Sequence, residues 1–385
     1  MTDPLLDLTE EQRAIVETAR AFADEHLRPH AARWDAEAYF EPTLPARLGA
    51  IGFLGMLLPP EHDGLGLDTR SYLLALEEIA AADASTAVLM SVHNSLPTQM
   101  LLAFGSDAQQ QAFLGPMARG ERLGAFALSE PEAGSDAAAL RCQARRDGDD
   151  WILDGTKSWV TSGSHAGVIL VMARTDTAED RRGAKGISAF IVTPDLPGFS
   201  VSKKEDKLGL RASPTVQLTF DAMRVPGDRL LGEPGMGFTY AMRSLEHGRL
   251  GIAAQAVGIA RAAFEAAAAY AAERRQFGKA IAEFQAVQYK LADMATRITA
   301  ARALVHAAAA AKDRGVPVGP QASMAKLFAS ETAMWVTTQA IQVFGGYGYV
   351  KDYPVERLFR DAKVTEIYEG TSEIQRVVIG RSVTL

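Results

Sequence analysis

The chain has 385 residues, 48% of them hydrophobic and 23% charged, with a formal net charge of −7. That length supports two or three domains and a large core, while an acidic balance with no long basic run argues against a nucleic-acid backbone or an anionic membrane surface as partner. The single cysteine, Cys142, excludes an internal disulfide and a cysteine-based metal cage, and fits a reducing compartment.

The start, MTDPLLDLTEEQ, has no basic region and no long apolar core, so no signal peptide is expected. The protein is read as cytoplasmic, or as the mature form of a matrix protein. No apolar run is expected to be long enough to span a bilayer. Residues 1–122 read as helical. LTEEQRAIVETARAFADEH opens with Thr9 ahead of Glu10 and Glu11 and then sets Ile15, Ala19 and Phe22 at helical spacing. LLPPEHDGLGLD is a loop, followed by two helical stretches, SYLLALEEIAAAD and DAQQQAFLGPMARG.

From about residue 123 to 234 the texture is β: WILDGTKSWVT, GVILVMART, GISAFIVTP and PTVQLTFDAMRVP are short, β-branched and set off by Gly, Asp or Pro. Asp154-Gly155 signals a tight turn between strands. An antiparallel sandwich or barrel is expected here. From 235 to 385 helices return, over 235–273, 284–314, 320–343 and 354–369, with a short one from 372. The Ala-rich runs there reflect high helix propensity and close packing. The chain is therefore expected to be an α+β multi-domain protein: a helical N-terminal domain, a β-barrel or sandwich middle domain and a C-terminal four-helix bundle.

No phosphate loop, no G-x-G-x-x-G between strand and helix and no G-x-S-x-G elbow is present, so hydrolase, kinase and nicotinamide-dehydrogenase readings lose ground. The seven histidines are scattered; His26 and His30 stand four apart with Pro29 between them, and no metal is expected.

TEIYEGTSEIQ, 365–375, holds three glutamates. Ser372 with Gln375 reads as a capping box, so a helix begins at about 372 and Glu373 lies in its first turn, where a carboxylate favours the dipole. Glu366 falls on the solvated face of the preceding helix. Glu369 is left in the break beside Gly370. Two readings are open at that point: a desolvated base with a raised pKa, or a partly exposed glutamate at a helix end. FALSEPEAGSD, 126–136, offers hydroxyls and free N–H groups to a polar heteroaromatic ring. Trp159 and Thr161 in SWVTSG would share one strand face, as a plate and a hydroxyl or as ordinary core. Arg274 and Arg275 in ERRQFGKAIAEFQ suit a diphosphate or are simply exposed at a helix end. The glycines of QVFGGYGYV allow close backbone approach to a ligand or form a helix cap.

Taken together, ALSEPEAGSD, WVTSG, RRQFGKAI…FQ, QVFGGYGY and IYEGTSEIQR resemble, in order and over essentially the whole chain, the motifs of the acyl-CoA dehydrogenase family. KKEDKLGLRAS, GEPGMGF and LEHGRLGIA look most like its short-chain, butyryl-type members. The resemblance implies a homotetramer with FAD between middle and C-terminal domains. It implies that Phe126, Leu128, Ser129, Gly134 and Ser135, with Trp159, Val160 and Thr161, line the flavin ring. Arg274, Gln276, Phe277, Phe284 and Gln285 would serve the diphosphate and adenosine part, and Gln342, Val343, Gly345 and Gly346 would serve it from a neighbouring subunit. Thr371 and Glu373 also touch FAD by this resemblance. Ser135, Glu246, Arg249, Tyr368 and Gly370 match positions that hold acyl-CoA.

Glu369 matches the catalytic base of short- and medium-chain members; other members place the base on the helix where this chain has Gly248, which cannot act. The implied reaction is α,β-dehydrogenation of a saturated acyl-CoA, with Glu369 taking the α proton and the β hydrogen leaving as hydride to the flavin. By the same resemblance, the Glu369 N–H and a flavin ribityl hydroxyl would polarise the thioester carbonyl, and electrons would pass to an electron-transferring flavoprotein. An O₂-using oxidase or monooxygenase on the same fold, a branched-chain substrate, and a non-catalytic assembly protein are the competing readings.

Overall fold

The computed structural model describes residues 7–175 and 183–384; the opening stretch read above for a targeting segment lies partly outside them. Among the described residues seven α-helices come first: α1 (Glu10–His26), α2 (Ala31–Glu37), α3 (Leu44–Ala50), α4 (Thr69–Ala82), α5 (Ala84–Ser95), α6 (Pro97–Phe104) and α7 (Asp107–Ala118). Thr9 caps α1 through a capping box whose second member is Gln12: the Gln12 N–H donates to Thr9 Oγ1 at 3.1 Å and the Thr9 N–H to Gln12 Oε1 at 3.3 Å. α5 is absent from the sequence reading for a physical reason. Every one of its residues is buried, so it carries no apolar-polar periodicity.

Among the described residues eight strands follow: β1 (Leu123–Ala127), β2 (Gln143–Asp147), β3 (Asp150–Thr161), β4 (Ala166–Arg174), β5 (Ile187–Val192), β6 (Phe199–Lys204), β7 (Thr215–Val225) and β8 (Leu230–Leu231). They form one mixed sheet in the order β6-β7-β3-β2-β4-β5-β8, with β1 parallel to β4. The expected closed barrel or antiparallel sandwich is therefore corrected to an open sheet. Its edges are protected instead of paired: β6 is exposed and ends in Lys203 and Lys204, and β8 is two residues long.

The expected turn at Asp154-Gly155 is also corrected. Both residues lie inside β3, where the register to β7 shifts between Leu153 and Gly155. Gly155 has φ +148°, and a Cβ there would meet Cys142 at 2.8–2.9 Å, so the glycine marks a bulge and a close approach. β4 is buried on both faces: Val168, Leu170 and Met172 join a core with α6, α7 and the start of the next long helix, while Ile169, Val171 and Ala173 join the core on the sheet's other side.

The chain ends in α8 (Gly237–Glu273), a two-stranded ribbon of β9 (Arg275–Gln276) and β10 (Lys279–Ala280), then α9 (Gln285–Asp313), α10 (Gly319–Phe344), α11 (Val355–Lys363) and α12 (Ser372–Thr384). The helix expected over 354–369 stops at Lys363, and a short 3₁₀ turn, Val364–Glu366, leads into the break. The expectation that no apolar run is long enough to span a bilayer is corrected by α8, which by length and composition could cross one. However, 67% of its apolar window is buried inside the protein, as befits a core helix. α8 packs against α4, α5, α9, α10 and α11, so the N-terminal and C-terminal helices share one core.

That shared core contains a charged knot. Glu77 of α4 accepts from Arg302 of α9 at 2.9 Å, and Glu78 accepts from Arg261 of α8 at 2.6 and 2.8 Å and from Arg20 of α1 at 3.1 Å. Burial pushes Glu77 up, but Arg302, His306 and Arg261 outweigh it and hold its pKa at about 2. Removing one partner of a buried pair strands the other charge, at a cost of about 3–5 kcal/mol. Glu77→Gln is therefore expected to lower unfolding free energy by about that amount; a loss measured in urea below about 1 kcal/mol would show the knot to be dispensable. Because the folded pKa is depressed, the Glu77 contribution is present above its ordinary value of 4.5 and is lost as pH falls toward about 2.

Candidate active site

After Glu366, which pairs with Lys363 at 2.6 Å, the chain breaks at Ile367–Gly370 before α12. Tyr368 anchors the break from one side: its hydroxyl donates to Gln255 Oε1 on α8, and Gln255 Nε2 donates to the Ala84 carbonyl at 2.8 Å. Glu369 then takes φ +52° and Gly370 φ +95°, two successive residues in a region L side chains avoid. The carbonyls that this turn leaves without helical partners are taken by side chains. Lys326 Nζ donates to Gly370 O at 2.8 Å, and Gln375 Nε2 donates to Gly370 O at 2.9 Å and to Glu369 O at 3.2 Å.

The capping of α12 differs by one residue from expectation. Thr371, not Ser372, is the N-cap, its Oγ1 accepting from the Ile374 N–H at 3.3 Å, and Gln375 faces back to the turn. Ser372 becomes the first helical residue. Thr371 is half-buried and Glu373 exposed.

The turn aims the Glu369 carboxylate inward. Both of its oxygens are buried without a hydrogen-bond partner. They lie against α8, where a Cβ at Gly248 would stand 2.0 Å from Glu369 Oε2; the glycine is the space the carboxylate occupies. Burial raises the Glu369 pKa to about 7 against the opposing charges of Lys326 and Arg249. Glu369 as a residue is half-buried, but its carboxylate is desolvated, which favours the first of the two readings left open above. Arg249 is itself buried, donating to Ser323 Oγ at 3.4 Å. Glu246, three residues before Arg249, is half-buried, with Oε1 beside Gly319 at the start of α10.

Two other groups of residues assemble elsewhere. Phe126, on β1, is half-buried between the helical core and the core under the sheet; Leu128 is buried, Ser129 half-buried, and Gly134 and Ser135 exposed. This segment is bolted to β3. Ser158 N–H donates to Ser129 O at 2.9 Å, and the fully buried Lys157 donates to Leu128 O at 3.0 Å and Glu130 Oε1 at 2.7 Å, while Glu130 also accepts from the Arg141 and Cys142 N–H groups. Next to Lys157, Trp159 has φ +61° and is 62% exposed, Val160 is buried and Thr161 half-buried. Trp159 is thus no core tryptophan: a register shift between Lys157 and Val160 turns it outward.

The third group surrounds a cavity of about 990 Å³, lined by Arg274, Gln276, Val343, Gly345, Gly346 and the rings of Tyr270, Tyr347 and Tyr353, among others. Arg274 lies over Tyr347, 5.4 Å from its centroid. The arginine and glycine segments, which the resemblance divides between subunits, form one wall within a single chain. Phe277, Phe284, Gln285 and Gln342 do not line this cavity. Phe277 is 94% exposed at the ribbon tip with φ +51°, edge-on to Phe284, and Gln285 and Gln342 are exposed. None of the residues from Phe126 to Thr161 reaches this wall.

Sequence reasoning missed Lys326, Gln255 and the Lys157–Glu130 pair, and gave Gln375 a capping role in place of its bonds to the Glu369 and Gly370 carbonyls. A signal exists for Lys326: it is a lone cation in the small and apolar run ASMAKLFAS, where only a buried partner makes a lysine tolerable.

Family models for the acyl-CoA dehydrogenase N-terminal, middle and C-terminal domains match residues 9–121, 125–223 and 235–384. The chain is 49% identical to a short-chain specific acyl-CoA dehydrogenase of Bos taurus mitochondria over 374 residues, 97% of this chain and 90% of the relative. Butyryl-CoA dehydrogenase from Megasphaera elsdenii superposes with a TM-score of 0.96 at 42% identity, covering 99% of this chain and 100% of that one. A chain in the structure of the electron transferring flavoprotein of Acidaminococcus fermentans does so with a TM-score of 0.96 at 46% identity, covering 98% and 99%. With all three models matched in order and close relatives spanning nearly its full length, the chain belongs to the acyl-CoA dehydrogenase family, at the level of its short-chain, butyryl-CoA-type members.

Proposed function

We propose that the chain oxidises a short-chain acyl-CoA to the trans-2-enoyl-CoA by FAD-dependent α,β-dehydrogenation, with Glu369 removing the α proton and the electrons leaving to an electron-transferring flavoprotein. The observation that carries this reading is the Glu369 carboxylate, buried, unpartnered and with a pKa raised to about 7. A base in that range is ionised for much of the time at neutral pH and still strong enough to take a proton. Its left-handed backbone and the missing side chain at Gly248 aim it.

The residues present fit FAD. Gly345 and Gly346 face open space where a Cβ would meet nothing, beside a planar cation and three tyrosines, on the wall of a cavity large enough for a dinucleotide part. Trp159, strained and outward-facing, offers a plate to the ring. When bound, FAD supplies the hydride acceptor. The chain's own residues do the rest. Glu369 takes and holds the α proton on a carboxylate oxygen; the packing of α8 and α10 around it keeps water away; the family pattern assigns polarisation of the thioester carbonyl to the Glu369 N–H. Glu246, Arg249, Tyr368, Gly370 and Ser135 are the proposed acyl-CoA contacts. A homotetramer belongs to the same proposal, supported by the exposed rings of Phe277 and Tyr349, 94% and 89% accessible in the single chain.

Glu369→Gln keeps the volume and removes the base. It should retain FAD and bind butyryl-CoA, yet lose about 10²–10⁴-fold in the rate of anaerobic flavin bleaching; bleaching at near wild-type rate would mean that another residue is the base. Gly248→Ala sits in a helix that tolerates alanine, so melting temperature should hold while the displaced carboxylate slows flavin reduction; an unchanged reduction rate refutes the packing argument. Across acyl-CoA lengths, kcat/KM should be greatest at butyryl to hexanoyl, since a methylene in a fitted pocket changes discrimination by about 1–3 kcal/mol. A maximum at dodecanoyl-CoA or a marked preference for isobutyryl-CoA contradicts this, and oxygen uptake in the same assay would indicate an oxidase.

A further inference from the structure

Lys326 has no role in the reading above, yet it is the cation closest tied to the turn that carries Glu369. It lies on α10 with no solvent exposure, in a run of Ala, Met, Leu and Phe. Among the described residues its ammonium donates one hydrogen bond, to the Gly370 carbonyl at 2.8 Å, a contact made across 44 residues of chain. An ammonium buried this completely requires compensation. One carbonyl supplies part of it, and the remainder comes from Glu369, whose carboxylate has no hydrogen-bond donor of its own.

We propose that Lys326 is a positioning residue for the base: its ammonium clamps the Gly370 carbonyl, so holding the left-handed Glu369–Gly370 turn, and provides the counter-charge that keeps the buried Glu369 carboxylate ionised. The inference rests on Glu369 being the base. The arrangement is economical in geometry, because a lysine bonded directly to the carboxylate would occupy the oxygens needed for proton transfer. A lysine one peptide away leaves both oxygens free while its charge still acts.

The other groups facing this centre are few. Arg249 on α8 adds a second positive charge; Tyr72 on α4 and Tyr368 in the turn are neutral phenols whose pKa is raised by burial and by Glu369; Glu366 and Glu373 flank the turn. Burial brings Lys326 down to about 8, against the pull of Glu369, so it is charged at neutral pH where Glu369, at about 7, is titrating. Gln375, the other donor to Gly370 O, is uncharged and can hold the turn but cannot stabilise an anion. Lys326 and Gln375 therefore have separable effects.

The test is the pH profile of anaerobic flavin reduction by butyryl-CoA in FAD-loaded protein, for wild type, Lys326→Met, Lys326→Gln and Lys326→Arg. Losing a nearby positive charge makes ionisation of Glu369 harder. Both neutral variants should therefore move the acidic limb upward by about one pH unit or more, slow reduction at neutral pH about tenfold or more, and recover as pH rises. Lys326→Arg should leave the limb near its wild-type place. Lys326→Gln keeps a donor for Gly370 O, and so reads the charge alone should methionine disturb the fold. The same shift should appear without turnover, in an infrared titration of the carboxylic-acid band that Glu369→Gln abolishes. A loss equal at all pH values, or an unmoved limb and band in a folded neutral variant, overturns the proposal. Glu369→Gln run alongside separates the two claims: if it still reduces flavin the base assignment fails, and if it is inert while the Lys326 limb stays put, only the present inference fails.

Discussion

A carboxylate with no hydrogen-bond partner, held away from water, is the constraint around which this protein is arranged. An ion in such a place is unstable unless charge of the opposite sign is near and the backbone is prevented from turning it back to solvent. Here the backbone is held by three side chains, Tyr368 to α8, and Lys326 and Gln375 to the Glu369–Gly370 carbonyls. The opposite charge comes from Lys326 and Arg249 on two different helices. The break between α11 and α12 is thus a fixed structure, even though residues 367–370 are themselves neither helix nor strand.

Fixing one short turn from several directions demands a rigid surround, and the helical core provides it. α8 runs through the middle and touches helices from both ends of the chain, while Glu77 and Glu78 tie α4 to α8 and α9 through the buried Arg261 and Arg302, and to α1 through the exposed Arg20. Buried ion pairs are weak sources of net stability, but they are strict about geometry. A slip of α4 along α8 would strand at least one charge, so the knot sets register between the two helical regions as much as it binds them. Glycines on α8 have the complementary role: Gly248 leaves room for Glu369, and Gly258 lets α4 approach so closely that a Cβ would lie 2.5 Å from the Glu77 carbonyl oxygen.

The residues suited to FAD are divided between two places that do not share a wall. The β1–β3 segments carry Trp159 and the Ser129–Ser135 stretch, locked together by Lys157 and Glu130. The junction of the α8 end, the ribbon and the α10 end carries Arg274 and the glycines. An open sheet suits the first of these. Closure into a barrel would have consumed the edges, while a register shift in β3 turns the tryptophan out.

Read alone, the amino-acid sequence determined whatever depends on neighbours within a few positions. Thr9 starts α1, the long C-terminal helices begin and end within about two residues of their periodic signal, and Glu369 stands in a break because glycine follows it. It could not show α5, whose burial on every side erases periodicity, nor tell a bulge from a turn at Asp154-Gly155, where both need the same residue types. Tertiary structure alone decided that Trp159 faces outward, that the sheet stays open, and that Arg274 and Gly345 share a wall. It also decided the electrostatics of the site. The pKa of Glu369 depends on Lys326, 43 positions earlier by number, and on Arg249, further still. The reason is physical: local sequence sets backbone preference, but desolvation and counter-charge act through space, and the groups that supply them are brought together only when the helices pack.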